Sequence, residues 1–134
     1  MNGIENFLID TNILIYFFDG KLNANQKNVI IQMFENSFNI SVITKIEFLG
    51  FKDYFDDKKY TKAIGFVNNA KVISLSDDLI DSIIRIKQKW NIKLGDSIIA
   101  ATAIKNDLVL VTRNQKDFEK IEGLKIFNPF DEPF

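Results

Sequence analysis

The sequence predicts an α/β protein whose parallel β-sheet is flanked by helices on both faces. Three observations carry that reading. Short apolar runs of strand length alternate along the chain with longer segments whose apolar residues recur at helical spacing. No internal repeat and no low-complexity segment interrupts the alternation. Two of the runs end in clusters of helix-starting residues, Asp10-Thr11-Asn12 and Thr112-Arg113-Asn114, as strand-to-helix junctions do. With 134 residues the chain is expected to be one domain, residues 1–134.

Taken in order, Phe7-Leu8-Ile9 reads as a buried strand, closed by the cap-forming residues Asp10, Thr11 and Asn12. The segment from Ile13 to Phe18 continues as a helix that is apolar nearly all round, so it must be covered on two sides, one of them open to a partner or second subunit. Residues 24–38 read as a helix, Ile40 to Ile43 as the second strand, and Thr44 as the opening of the next helix. Asp56-Asp57-Lys58-Lys59 reads as a solvated turn, followed by a helix holding Tyr60, Ala63, Ile64 and Val67. Val72 to Leu75 is the third strand, and residues 77–90 form a helix with a broad apolar face. Asp96 opens a helix that runs to Lys105. Leu108 to Val111 is the fourth strand, residues 115–121 a short helix, and Leu124 to Phe127 a last strand.

Two absences exclude more than any motif. The chain has no cysteine and no histidine. Disulfides, thiolate metal sites, imidazole ligands and the Ser-His-Asp triad are therefore impossible. Hydrolytic chemistry must run on carboxylates, hydroxyls, amides and lysines, and a metal site would be all oxygen, which suits hard cations such as Mg²⁺ or Mn²⁺. The net charge of −1 runs against the basic balance usual in nucleic-acid binders, unless several acids are gathered in one place. The first ten residues lack a basic n-region and no stretch is apolar enough to span a membrane, so the expected compartment is the cytoplasm.

Four acids share a position in their local context. Asp10 ends the first strand, Glu47 lies in the helix after the second, Asp96 starts a helix, and Asp117 follows the fourth strand. In an open parallel sheet ligands bind outside the carboxyl ends of the strands, so one fold can bring these acids together around divalent cations. Each also fits a purely structural role. Asp10 and Asp96 suit helix N-caps, Glu47 completes a capping box with Thr44, and Asp117 stands three residues after Asn114.

The segments FLIDTNILIYFF, SVITKIEFLGF, LGDSIIAATAI and LVLVTRNQKDFEKI resemble, in that order, the motif segments of PIN-domain proteins, most of all the VapC-type toxins of toxin–antitoxin pairs. The resemblance runs from about Phe7 to Pro129. It implies a PIN-like fold and a Mg²⁺- or Mn²⁺-dependent endoribonuclease with Asp10, Glu47, Asp96 and Asp117 as its acids. Some members carry an acid where this chain has Asn114. Thr112, Asn114 and Asn12 would then orient ligands or water. The resemblance further implies a homodimer held inactive by a cognate antitoxin, with Leu14 to Phe18, Phe130 and Phe134 as candidate contacts. Core packing is the stronger reading of Leu14, Ile15 and Phe17.

Lys45, Arg113 and Lys116 adjoin the acids in sequence and are candidates for holding RNA phosphates, although lysines so placed are commonly just solvated. A phosphate-accepting receiver domain is a rival reading, but it would want adjacent acids after the first strand, where this chain has Asp10-Thr11-Asn12. A non-catalytic PIN-like RNA-binding module and a DNA-cutting nuclease are the others.

Overall fold

The computed structural model describes residues 6–51 and 57–130. In chain order the elements are β1 (Phe7–Ile9), α1 (Thr11–Phe18), α2 (Ala24–Asn36), β2 (Asn39–Ser41), α3 (Val42–Leu49), α4 (Asp57–Val67), β3 (Lys71–Ile73), α5 (Asp77–Trp90), α6 (Leu94–Lys105), β4 (Val109–Val111), α7 (Gln115–Phe118) and β5 (Lys125–Phe127). The strands form one sheet in the order β3-β2-β1-β4-β5, parallel at every pairing. This is the fold class the alternation predicts. Among the described residues no helix is long and apolar enough to cross a membrane.

The strand order places β1 at the centre. The chain builds outward to β2 and β3 on one side, then returns to build β4 and β5 on the other. Such a reversal opens a crevice at the carboxyl ends of the two strands that flank it, here β1 and β4. Asp10 and Thr112 are the first residues past those ends. Both remain tied to the sheet, Asp10 N–H donating to the Val111 carbonyl (2.9 Å) and Thr112 N–H to the Phe127 carbonyl (3.1 Å).

Side chains alternate across the strands and so feed two cores. Leu8 and Leu110 point into one, shared with Leu79, Ile83, Ile99 and Phe118. Ile9 and Val111 point into the other, with Ile13, Ile30, Ile40 and Phe48. Helix α1 is covered chiefly from within the chain. Phe17 packs on Phe34 (centroids 5.0 Å apart) and Phe66 (5.6 Å), and Phe18 on Phe48 (5.5 Å). The apolar stretch Leu14 to Phe18 is thus mostly core, while Tyr16 turns outward to Phe130 (5.5 Å). Phe134 lies outside the described residues.

Helix α6 has residues 97 to 103 buried without a break. Its two hydroxyls there bond within the helix, Ser97 Oγ to the Leu94 carbonyl (2.6 Å) and Thr102 Oγ1 to the Ile98 carbonyl (2.7 Å), so no polar group is stranded. A helix packed on all sides cannot rotate, and Asp96 in its first turn is held in direction.

Several boundaries differ from the sequence reading. The second strand stops at Ser41, because the Ser41 hydroxyl accepts from Ile43 N–H (3.2 Å) and starts α3 there. Val42 and Ile43, whose β-branched side chains favour strand, are its first helical residues. The third strand then ends at Ile73, which pairs with Ser41, since no neighbour extends beyond it. Asp57, Lys58 and Lys59 are not a turn but the first residues of α4, where an acid at the first position suits the helix dipole; Asp56 lies outside the described residues. Helix α6 begins at Leu94 rather than Asp96, and α7 stops at Phe118.

Phe48 is fully buried and its ring meets those of Phe18 and Phe66 (6.0 Å). Phe48→Ala should cost about 3–5 kcal/mol, as truncation of core aromatics does. Urea unfolding checks this; a loss below about 1 kcal/mol would mean the aromatic cluster is not what holds α1, α3 and α4 together.

Candidate active site

Asp10 is the buried member of the acid group, 5% exposed. It caps α1, its Oδ1 accepting from Thr11 N–H (2.8 Å). Its other oxygen accepts from Thr112 Oγ1 (2.7 Å) and Asn12 Nδ2 (3.0 Å). A carboxylate taken from water needs such donors. Burial nonetheless dominates and pushes its pKa from 3.8 up to about 6; the hydrogen bonds from Thr112 and Thr11 pull it back, and the charges of Asp96 and Glu47 add to the rise.

Glu47 stands on α3, exposed, and is steered by hydroxyls. Thr11 Oγ1 donates to Glu47 Oε1 (2.6 Å) and lies 3.2 Å from Thr44 Oγ1. A Cβ at Gly95 would sit 3.6 Å from Glu47 Oε2, so Glu47 lies beside the first turn of α6. Asp96, one residue on, is half-buried and accepts no hydrogen bond among the described residues. Its pKa is raised, first by burial, then by the charge of Asp117, with Lys93 opposing and Glu47 adding. Asp117 is exposed on α7.

Repulsion links Asp96 to Asp10, Glu47 and Asp117, and Asp10 also to Glu47, so Asp96 stands in the middle of the group. They are grouped, not clenched. Among the described residues no three acids stand close enough to cage one ion between them. Repulsion between like charges keeps them apart, and Thr11 holds Glu47 to its own side.

Asp10 is a cap as well as a member of the group. Glu47 is not half of a capping box, because Ser41 caps α3 and Thr44 is buried in its third position. Asp96 is the third residue of α6, whose N-cap is Lys93. Asp117 N–H donates to the Asn114 backbone carbonyl (3.0 Å), and the Asn114 side chain makes no cap bond.

Of the supporting residues, Thr112 and Asn12 touch Asp10 directly, and Asn12 Oδ1 also accepts from Arg113 N–H (3.2 Å). Asn114 reaches Thr112 through its backbone N–H, which donates to Thr112 Oγ1 (3.0 Å). An open cavity of about 730 Å³ on the Asp117 side of the group is lined by Arg113, Asn114, Lys116, Asp117, Asn128 and Phe130, among others. Lys45 does not line it. It stands two residues from Glu47 on one helix, and side chains so spaced do not share a face. Sequence reading missed Thr11 and Lys93. Thr11 was visible inside Asp10-Thr11-Asn12, but its bond to a residue 36 positions away was not.

A doubly wound parallel sheet with coupled acids at its switch point defines the class. The PIN domain family model matches residues 7–124. The chain belongs to the PIN-domain family, in its VapC-type group. It is 31% identical to Ribonuclease VapC1 of Rickettsia felis over 129 residues, spanning 89% of this chain and 92% of that protein. A chain of the toxin–antitoxin complex from Klebsiella pneumoniae superposes with a TM-score of 0.77 at 30% identity, covering 95% of this chain and 100% of that one. The DNA-bound VapBC of Salmonella typhimurium gives a TM-score of 0.82 at 23% identity, covering 93% of this chain and 98% of that one, which speaks for the fold alone.

The raised pKa of Asp10 has a stability consequence. Below pH 3.8 the group is protonated in folded and unfolded chains alike, and it costs the fold nothing. As pH rises to about 6, the unfolded chain loses the proton first and stability falls. At about 1.36 kcal/mol per pKa unit the full loss is about 3 kcal/mol. With EDTA present, the stability difference between Asp10→Asn and wild type should shift by about that much in favour of the variant between about pH 3 and about pH 8. A difference independent of pH, by urea unfolding at each pH, would mean Asp10 ionises as freely in the fold as outside it.

Proposed function

We propose that this chain is a metal-dependent endoribonuclease, the toxin of a type II toxin–antitoxin pair. The observation that carries the reading is Asp96 standing electrostatically between Asp10, Glu47 and Asp117 at the switch point of the sheet. The similarity to Ribonuclease VapC1 of Rickettsia felis supports RNA as the substrate.

The donor set fits Mg²⁺ or Mn²⁺. All available ligands are oxygen, and Mg²⁺ commonly takes one or two carboxylates and keeps several waters, so a three-acid cage is not required. Asp10 and Asp96 would hold the ion, with Glu47 and Asp117 flanking. When bound, it lowers the pKa of a water and stabilises charge on the oxygens of a phosphodiester. The chain's own residues prepare that place. Thr112 and Asn12 hold the Asp10 carboxylate in direction, and Thr11 does so for Glu47. Asn114 braces Thr112 through its backbone. Lys93, Arg113 and Lys116 supply positive charge for the substrate backbone; Lys45 would serve only a longer RNA lying over α3.

A cognate antitoxin is the proposed partner, in keeping with the toxin–antitoxin complex of Klebsiella pneumoniae. Ile46 and Leu94, 61% and 60% exposed, flank Glu47 and Gly95 and offer it an apolar lip beside the acids. The active unit is taken to be a homodimer in the cytoplasm.

The test is Asp96→Asn. Cleavage of RNA in Mg²⁺ or Mn²⁺ should fall at least about a hundredfold, more than loss of an outer contact costs. The metal-free variant should be as stable as wild type or more so, because a repelling charge is gone. Either metal should raise the Tm of wild type more than that of the variant. Undiminished cleavage with equal Tm shifts would sink the proposal, and metal-independent binding of RNA without cleavage would favour a non-catalytic module.

A further inference from the structure

Arg113 is held at both its main chain and its guanidinium. Its main chain is pinned on both sides by asparagine side chains. Asn12 Oδ1 accepts from its N–H (3.2 Å), and Asn128 Nδ2 donates to its carbonyl (3.4 Å). Its guanidinium lies over two rings, 4.7 Å from the centroid of Phe130 and 5.2 Å from that of Tyr16. Those rings pack edge to face on each other, and Asn128 Oδ1 accepts from Phe130 N–H (2.9 Å). Asn128 thus fixes both the cation's backbone and one of its rings, and it is itself buried, 8% exposed.

Among the described residues the charge so fixed has no acid to meet. Asp117 and Glu119 line the same cavity, yet among the described residues no carboxylate pairs with Arg113. An arginine held over aromatic faces keeps its N–H edge available for a planar, two-point contact with an oxyanion. Holding it before the ligand arrives lowers the entropy lost on binding. The cavity at about 730 Å³ is within the range of sites that enclose small ligands, and its wall runs on to Asp117.

We infer that this cavity seats the nucleotide next to the cleaved linkage, with Arg113 taking its phosphate and Tyr16, Phe130, Asn12 and Asn128 acting as positioning residues. The inference rests on the nuclease reading and extends it by naming where the strand lies. The strand leaves the acids along the α7 side, past Asp117, and not over α3. A phosphate is favoured over a protein carboxylate because the cavity reaches the acid group at Asp117 and offers amides from Asn114 and Gln115 to an exposed base edge.

The test separates binding from cleavage. A labelled single-stranded RNA is titrated with full-length chain in EDTA over a range of KCl, by fluorescence anisotropy. Arg113→Ala should weaken binding about tenfold, the scale of one charge-assisted contact. It should also reduce the log–log salt slope by about 0.7, the share of one single-strand phosphate. Arg113→Lys should restore the slope but only part of the affinity. Phe130→Leu should keep the slope while weakening binding about threefold, an effect of lost preorganisation. In Mg²⁺ the Arg113→Ala loss should fall on KM more than on kcat. Unfolding midpoints of the variants guard against misfolding. Unchanged affinity and slope in Arg113→Ala, with wild type binding and cutting RNA, would overturn this placement and leave the nuclease reading intact. So would a loss of hexaglutamate binding with RNA binding unchanged, which assigns the cation to a protein partner. A wild type that neither binds nor cuts RNA overturns both.

Discussion

The structure turns on one buried carboxylate. Asp10 sits where the sheet reverses its direction of growth, and a charge there must be answered by donors or given up. The answers come from both sides of the crevice. Thr11 N–H and Asn12 come from the start of α1, and Thr112 comes from the end of β4, 102 residues away. The carboxylate therefore joins the first strand's exit to the fourth strand's exit through side chains, just above the point where backbone bonds join the strands themselves. Three further groups at the crevice are referenced to that junction. Thr112 receives the Asn114 N–H, Asn12 receives the Arg113 N–H, and the neighbouring Thr11 hydroxyl turns Glu47.

That arrangement is poor design for stability alone. Burial, with a smaller push from the nearby acids, raises the Asp10 pKa to about 6 even against two opposing hydrogen bonds. Asp96 is half-buried with no hydrogen bond to compensate it among the described residues. A fold that merely needed caps would use Ser or Asn at these places without repulsion. Ser41 and Ser76 do so at α3 and α5. A strongly shifted Asp10 beside a raised Asp96 at the switch point is the pattern expected where chemistry, and not packing, chose the residues.

Much of this was legible in the sequence, and the failures have physical causes. Strand β1 and helix α5 match the sequence reading to the residue, since their apolar spacing and flanking polar residues agree. The junction of β2 and α3 does not, because Val42 and Ile43 carry strand preference while the Ser41 hydroxyl starts a helix, and the local cap prevailed. Helix α6 starts earlier than Asp96 suggests, since Lys93 caps it by backbone geometry without a side-chain bond. The positions of the acids after strand ends were readable. Their partners were not. Thr11 with Glu47, and Arg113 with Tyr16, meet across tens to about a hundred residues, and no local pattern encodes such pairs. The cap alternatives for Glu47 and Asp96 could be dismissed only once the actual caps were seen.

The central claim is that the coupled acids form a divalent-cation site. It is tested most directly by crystals of the chain soaked with Mn²⁺ and read by the metal's anomalous scattering. The account predicts a peak against the carboxylates of Asp10 and Asp96, at roughly 2.0–2.2 Å from their oxygens as hard cations require, and no such peak in Asp96→Asn. Manganese bound elsewhere, or an empty crevice in the wild type at millimolar metal, would contradict it.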